Sequence, residues 1–108
     1  MPLYMIQATY TGDSWANQLK NPQNRIETVG RQSCESVGGK LVGAWYSFGD
    51  YDFVAICDVP DNVSISAISL AWSAGGAAKA IKTTVLMTGD EAVAAMKKAN
   101  TVSYKPAR

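Results

Sequence analysis

The stretch of residues 47–60 constrains the fold more than any other part of this sequence. Gly49-Asp50 is a turn signal between two short runs rich in β-branched and aromatic residues, 41–48 and 53–59. The second run carries apolar residues at both odd and even positions, so a strand formed from it needs cover on both faces and a neighbour on both edges. The stretch therefore predicts a hairpin whose second strand lies in the middle of a sheet.

Composition excludes several classes of function. The chain has 108 residues, 47% of them hydrophobic, and a formal net charge of +1 with both signs interspersed. We expect one domain over residues 1–108, with a core at about 3–99 and a tail at 100–108, and no nucleic-acid partner. No apolar run reaches the roughly 20 residues of a membrane span. The start of the chain also lacks a signal-peptide pattern, so we expect a cytoplasmic protein with no membrane partner.

The sequence contains no histidine and two cysteines, Cys34 and Cys57. Without histidine there are no imidazole metal ligands, no haem ligation by histidine and no histidine-activated nucleophile. The sequence also shows no phosphate-binding or dinucleotide-binding motif. We therefore expect buried reduced thiols, no metal site and no cofactor.

Periodicity and capping residues divide the chain into strands and helices. Four strands are predicted at 3–10, 41–48, 53–59 and 80–87. Helices are predicted at about 22–37 and 62–73, with a helical turn around Trp15 and a short last helix after a capping box at Thr88 and Glu91. The expected boundary residues are Asn21 with Pro22, Gly38-Gly39, Asp61 and Gly75-Gly76.

This order of elements predicts an α+β fold. It is β-α-β-β-α-β, which places the first and third strands at the centre of a ferredoxin-like antiparallel sheet, with the helices on one face and a short C-terminal helix added. Strands one to three carry apolar residues on both faces, and two helices cover only one of them. A second copy of the chain is the simplest cover for the other face, so we expect a homodimer through the sheet, or a higher oligomer built on it.

The chain resembles the GYD domain family, whose label describes a Gly-x-Tyr-Asp hairpin motif, here Gly49, Tyr51 and Asp52. Coverage runs from residue 1 to about 90. Further matching positions are Met1-Pro2-Leu3-Tyr4, Tyr10-Thr11, Gly38-Gly39-Lys40-Leu41 and Pro60-Asp61.

The resemblance implies a dimeric α/β barrel, in which two such sheets face each other. It implies little chemistry, because barrels of this type include oxygenases, isomerases, dehalogenase-like proteins and effector-binding modules. The effector domains of leucine-responsive transcription regulators carry a similar hairpin behind a DNA-binding helix-turn-helix. Met1 leads directly into the first strand here, so we expect no DNA contact by that route.

Small and aromatic residues suggest a ligand pocket between the first long helix and the sheet of one subunit, near the Gly49–Asp52 turn and away from the dimer axis. The alternatives are close helix–sheet packing for the small residues, and a core or interface role for the aromatic ones. In the second strand, alternation predicts that Val42, Ala44, Tyr46 and Phe48 share one face and that Leu41, Gly43, Trp45 and Ser47 share the other. Which of these two faces, that of Trp45 or that of Tyr46, lies against the helices stays open. The predicted ligand-binding residues are Gly30, Ser33, Cys34, Trp45, Tyr46 and Tyr51.

The hairpin also supplies two catalytic candidates. Asp52 is a candidate base or anchor and Tyr51 a candidate hydrogen-bond donor. The alternative is structural, with Tyr51 packing at the strand start and Asp52 accepting hydrogen bonds of the turn. Arg25, Arg31 and Lys40 are candidate anion contacts or parts of a solvated face.

Two functions follow from these observations. The first is a small-molecule-binding protein, since the sequence shows no convincing catalytic set. The alternative is a cofactor-free monooxygenase or isomerase acting on a small aromatic or quinol-like compound, which the number of aromatic residues favours.

Overall fold

A computed structural model of the chain describes residues 2–107. Met1, part of the motif at the start of the chain, and Arg108, the end of the predicted tail, lie outside the described residues. In chain order the elements are β1 (Leu3–Tyr10), α1 (Gly12–Lys20), α2 (Arg25–Ser36), β2 (Lys40–Tyr46), β3 (Phe53–Asp58), α3 (Asn62–Ala74), β4 (Ala78–Leu86) and α4 (Gly89–Ala99).

The four strands form one antiparallel sheet in the order β2-β3-β1-β4. The α+β class is confirmed, and β1 and β3 are the two central strands. One difference concerns α1, which is a complete helix of nine residues where the sequence predicted a helical turn. A capping hydrogen bond from Ser14 N to Thr11 Oγ1, 3.0 Å long, starts it.

Alternation in β1 and β3 places the core on one side of the sheet. Alternate residues of β1, from Tyr4 to Tyr10, are buried, and so are Phe53, Ala55 and Cys57 of β3. Helices α2 and α3 cover this side, and their buried residues are Ile26, Gly30, Cys34, Ile65 and Ile68. Burial of these apolar side chains holds the two helices on the sheet.

Strand β2 departs from simple alternation. Its pairing with β3 shifts between Leu41 and Gly43, so Leu41 lies opposite Cys57 while Gly43 lies opposite Ile56. Val42 falls in this bulge and is 55% exposed. The prediction that Val42 shares a face with Ala44 and Tyr46 was therefore wrong, because an extra residue in one strand reverses the alternation before it.

The other side of the sheet, which we call the open face, is covered by no helix within residues 2–107. The register places Trp45 opposite Val54, and Met5 opposite Ile56. Trp45 is 55% exposed, and its indole lies over Gly43, where a Cβ would stand 2.6 Å from the ring. The apolar residues of the open face are Leu3, Met5, Gly43, Trp45, Val54, Ile56, Ala80 and Leu86.

The predicted helix boundaries agree with the structure at most ends. Asp61 accepts a hydrogen bond from Ser64 N, Thr88 and Glu91 form the capping box, and Gly38 and Gly76 have positive φ angles of 82° and 79°. The start of the first long helix was predicted wrongly, since α2 begins at Arg25 rather than Pro22. The N-cap residue is Asn24, whose side-chain amide donates a hydrogen bond to the Glu27 carboxylate. The helix therefore begins three residues later than predicted.

Helix α4 lies at the outside of the molecule. None of its eleven residues, all of them described, is buried, and Met96 is 66% exposed. The molecule is correspondingly extended, with principal dimensions of 56 × 36 × 22 Å. Among the described residues, no helix is long and apolar enough to cross a membrane.

Candidate functional site

Asp52 connects the hairpin to the first strand and the first helix. Its Oδ2 accepts a hydrogen bond of 2.8 Å from the backbone N–H of Tyr10 and one of 3.1 Å from Nε1 of Trp15. Its backbone N–H donates to the carbonyl oxygen of Ala8 at 2.8 Å. These contacts correspond to the structural interpretation of Asp52, and a role as a base stays a prediction.

The hairpin loop is wider than the Gly49-Asp50 signal implies. Strand β2 ends at Tyr46, and Ser47 N donates to Asp52 O across the loop at 2.9 Å. The carbonyl oxygen of Tyr51 accepts from Ser47 Oγ at 2.7 Å and from Gly49 N at 3.0 Å. Phe48, not the glycine, takes the left-handed conformation, with φ of 52°. The loop is thus organised by its backbone carbonyls, and Tyr51 is half-buried beside it.

Six aromatic side chains form a continuous cluster from the hairpin to α3. Tyr10 contacts Trp15 edge-on at 5.1 Å between ring centroids and Phe53 at 5.3 Å, and Phe53 contacts Trp72 at 6.0 Å. On the other side, Tyr46 stacks on Phe48 at 5.6 Å, and Trp15 lies beside both. Such contacts stabilise packing beyond the area they bury, so the cluster helps to hold Tyr10, Phe53 and Trp72 in place.

A pocket of about 240 Å³, the inner pocket, opens between α2 and α3 next to this cluster. Tyr10, Phe53 and Trp72 supply aromatic walls, and the start of α2 supplies Arg25 and Ile26. The remaining lining residues are Val29, Ala71, Gly75, Ala77 and Ala78. A mostly apolar pocket with one cation favours a small apolar ligand that carries a negative charge.

Two groups set the electrostatics of the inner pocket. Arg25 is exposed and makes no ion pair within residues 2–107. Burial, together with repulsion from Tyr46 and Asp52, raises the pKa of Tyr10 to about 12, against a smaller lowering by Arg25. The Tyr10 phenol is therefore protonated at neutral pH, where it is a hydrogen-bond donor and a poor base.

A second, polar cavity of about 490 Å³, the outer cleft, adjoins the inner pocket. The two share Arg25, Gly75 and Ala77. A hydrogen bond of 2.9 Å from Thr11 N to Ala77 O joins the start of α1 to the segment after α3, and so closes one wall of the cleft. The other lining residues are Thr11, Asp13, Ser14, Asn17, Gln18, Asn21, Gln23 and Gly76.

Three predicted ligand residues lie further along α2 than the inner pocket. A Cβ at Gly30 would lie 3.2 Å from Leu41 Cδ1, so this glycine packs against a strand side chain. Ser33 Oγ accepts a hydrogen bond of 2.9 Å from Trp72 Nε1, which holds the wall of the pocket from behind. Cys34 is buried beside Cys57.

The other three predicted residues are dispersed. Tyr46 belongs to the aromatic cluster, Tyr51 to the hairpin loop and Trp45 to the open face. None of the six is among the residues, all within 2–107, that line the inner pocket, and their ligand-binding role stays a prediction. Of the lining residues, Arg25 was named from the sequence as an anion candidate. Ile26 and Val29 recur at helical spacing in the sequence, which indicates only that they lie on the buried face of a helix.

The two cysteines meet between α2 and β3. A hydrogen bond between the thiols lowers the pKa of Cys34 and raises that of Cys57, with burial raising both. Both side chains are fully buried and neither is in a disulfide. Within residues 2–107, no group of three or more Cys, Asp or Glu side chains is arranged to hold a metal ion.

Two comparisons with known proteins bear on this site. A protein of Thermus thermophilus, named glutamine synthetase and cystathionine beta-lyase binding protein, is 26% identical over 90 residues, covering 83% of this chain and 94% of that protein. The sequence model of the GYD domain matches residues 4–96, which include the hairpin, β3, all of β1 except Leu3, and every residue that lines the inner pocket. The chain therefore belongs to the GYD domain family.

Proposed function

We propose that this protein binds a small apolar anion in the inner pocket. The observation that carries the proposal is the pocket of about 240 Å³ with Tyr10, Phe53 and Trp72 as walls and Arg25 at its rim. A protein cavity of about 150 Å³ is enough to bind benzene, so an aromatic ring or a branched alkyl group fits here. A carboxylate on the same ligand would pair with Arg25.

Titration of the protein with 3-phenylpropionate, followed by amide chemical shifts, tests this proposal. We expect saturable shifts at the residues of the inner pocket. Ala71→Trp places a large ring at the pocket and should abolish binding, whereas Leu70→Trp, one residue away on α3 and 70% exposed in the native chain, should preserve it. Absence of saturable shifts, or equal binding by both variants, would overturn the proposal.

We infer that a second copy of the chain covers the open face, so that two sheets form a dimeric α/β barrel with ferredoxin-like subunits. Half-exposed Trp45 and the apolar residues around Met5, Val54 and Ile56 support this inference, because monomers rarely leave such a patch in water. Sedimentation equilibrium at micromolar concentration should give twice the 11.5 kDa of one chain. A species of 11.5 kDa would contradict it.

A cofactor-free monooxygenase or isomerase remains the second candidate, because the aromatic walls of the inner pocket suit a flat electron-rich substrate. The raised pKa of Tyr10 is against the phenol acting as the base at neutral pH. Oxygen uptake by the purified protein with a quinol, without added metal or flavin, would favour the enzyme. Binding without turnover would favour the binding protein.

The binding protein also has a proposed protein partner and compartment. The Thermus relative is named for binding glutamine synthetase and cystathionine beta-lyase, which supports a partner of this kind here. The thiols of Cys34 and Cys57, which are neighbours but form no disulfide, suit the reducing cytoplasm. Calorimetric titration of this protein with each of the two enzymes from its own source organism tests the partner, and no heat of binding with either would contradict it.

A further inference from the structure

The inner pocket and the outer cleft together have three kinds of lining, which adjoin one another at the residues that the two cavities share. The apolar wall is formed by Phe53 and Trp72, and the junction by Arg25, Gly75 and Ala77. Beyond the junction the outer cleft is lined by amide side chains, among them Asn17 and Asn21. A ligand that fills both cavities must therefore present an apolar group, an anion and a neutral hydrogen-bonding chain that diverge from one point.

The junction is suited to a carboxylate. Arg25 and Ile26 are the first two residues of α2, so the positive end of this helix lies at the pocket wall beside the guanidinium. The N-cap residue, Asn24, makes no capping hydrogen bond with its side chain, and its amide is turned instead to Glu27. Arginine and the N–H groups of a helix N-terminus both bind carboxylates well, and Arg25, the first residue of α2, lines both cavities.

The outer cleft is suited to peptide groups. Amide side chains offer both N–H donors and C=O acceptors, which are the complements of a backbone amide. The lining has four of them, with the carboxylate of Asp13 at the start of α1. This composition favours a neutral polar chain, with a place near Asp13 for a terminal ammonium group.

We propose that the site binds an apolar amino-acid residue with a free carboxylate and an acylated nitrogen. In such a residue the side chain, the carboxylate and the amide leave the same carbon, which is the divergence that the three walls require. The side chain occupies the inner pocket, the carboxylate meets Arg25, and the amide chain follows the outer cleft. There are two sources of such a residue. It is either the C-terminal residue of a protein chain, or it belongs to a free N-acyl amino acid or a short peptide. This inference rests on the proposed function of the inner pocket.

Calorimetric titration of the full chain with related probes tests the inference. Gly-Gly-Phe carries all three groups, 3-phenylpropionate lacks the amide chain, and the C-terminal amide of Gly-Gly-Phe lacks the anion. We expect Gly-Gly-Phe to bind at least about tenfold more tightly than either, since each missing group leaves polar atoms of the site unpaired. If 3-phenylpropionate binds and Gly-Gly-Phe binds no more tightly, the inference is overturned and the proposed function stands. If no probe binds, both are overturned.

Variants test which residues of the site contact the carboxylate and the amide chain of the ligand. Arg25→Gln should remove the preference for the acid over the amide of Gly-Gly-Phe, and Arg31→Gln, a matched change on the same helix at a residue that pairs with Glu27, should not. Replacing Asn17 and Asn21 together by alanine should weaken Gly-Gly-Phe at least about fivefold while leaving 3-phenylpropionate unchanged. An unaltered preference in Arg25→Gln would refute the placement of the carboxylate, and with it the inference.

A last comparison separates the two sources of the ligand. A ten-residue peptide that ends in phenylalanine is titrated beside N-acetylphenylalanine. Binding of the long peptide as tight as that of Gly-Gly-Phe supports the inference and assigns the site to protein C-termini. Tight binding of N-acetylphenylalanine with exclusion of the long peptide also supports it, and assigns the site to free acylated amino acids. Failure of both ligands to bind contradicts it.

Discussion

The carboxylate of Asp52 and the indole of Trp15, 37 residues apart in the sequence, are joined by a hydrogen bond of 3.1 Å. The same Asp52 oxygen holds the backbone N–H of Tyr10, so one side chain fixes the hairpin, the end of β1 and helix α1 relative to each other. Tyr10 is also a wall of the inner pocket. The aspartate of the Gly-x-Tyr-Asp motif thus stabilises the structure on which the pocket is built.

Replacing Asp52 should destabilise the fold. In Asp52→Ala the N–H groups of Tyr10 and Trp15 lose their common acceptor, and we expect a loss of about 3 kcal/mol in the free energy of unfolding. Asp52→Asn keeps one oxygen without the charge and should lose about 1 kcal/mol. Urea unfolding measures both. Asp50→Ala, an exposed aspartate of the same loop, is the control and should stay near the wild type. Equal losses at both positions would refute the role of Asp52.

Gly39 should not tolerate any side chain. A Cβ there would collide with the carbonyl oxygen of Asp58 and lie 2.9 Å from Cα of Val59, both of them backbone atoms. We expect Gly39→Ala to lower the free energy of unfolding by about 3 kcal/mol. Gly89 has no atom within 4 Å of the same position, so Gly89→Ala should raise stability by about 0.5 kcal/mol. Thermal unfolding compares the two, and similar melting temperatures would contradict this prediction.

A charge on the open face should separate the proposed dimer. Ile56 lies opposite Met5 and Gly43 in the middle of that face, so Ile56→Lys would bury an unpaired ammonium between two sheets. We expect a folded species of 11.5 kDa in sedimentation, or an unfolded chain by circular dichroism. Val63→Lys, on α3 and 78% exposed in the native chain, should remain dimeric. A folded Ile56→Lys dimer would place the interface elsewhere.

Stability should fall at high pH because of Tyr10. The phenol has a pKa of about 10 in the unfolded chain, whereas its pKa in the folded chain is raised to about 12. The contribution of Tyr10 is therefore fully present below pH 10 and is lost as the pH rises towards 12. Urea midpoints between pH 9 and pH 12 should fall less in Tyr10→Phe than in the wild type. Tyr104 is 75% exposed, so the urea midpoint of Tyr104→Phe should fall as much as that of the wild type. An identical fall in Tyr10→Phe would show that other groups cause the loss.

Much of the fold could be predicted because it depends on local patterns. The alternation in β1 indicates which residues are buried, and Asp61 and Thr88 mark helix starts through bonds to residues three positions away. The prediction failed in β2, where the bulge at Val42 changes the face of Leu41. Whether a strand forms a bulge depends on the elements that it packs against, and a short stretch of sequence carries no information about those elements.

The site was harder to predict for a related reason. Arg25 was recognised as an anion candidate, but Tyr10 and Trp72 come from opposite parts of the chain and are brought to it only by the tertiary fold. A cavity is the small volume that side chains leave unfilled, and residue types alone do not determine it. The small residues of α2 drew attention to Gly30, where Leu41 in fact occupies the adjacent space.

The three tryptophans stand in three separate parts of this molecule. Trp72 lines the inner pocket, Trp15 is bonded to Asp52 in the aromatic cluster, and Trp45 lies over Gly43 on the open face. Indole emission changes with polarity and with nearby quenchers, so the chain carries an intrinsic fluorophore at each place where an event is expected. Variants that keep one tryptophan and replace the other two by phenylalanine would report ligand uptake, unfolding around the hairpin and subunit association as distinct optical signals.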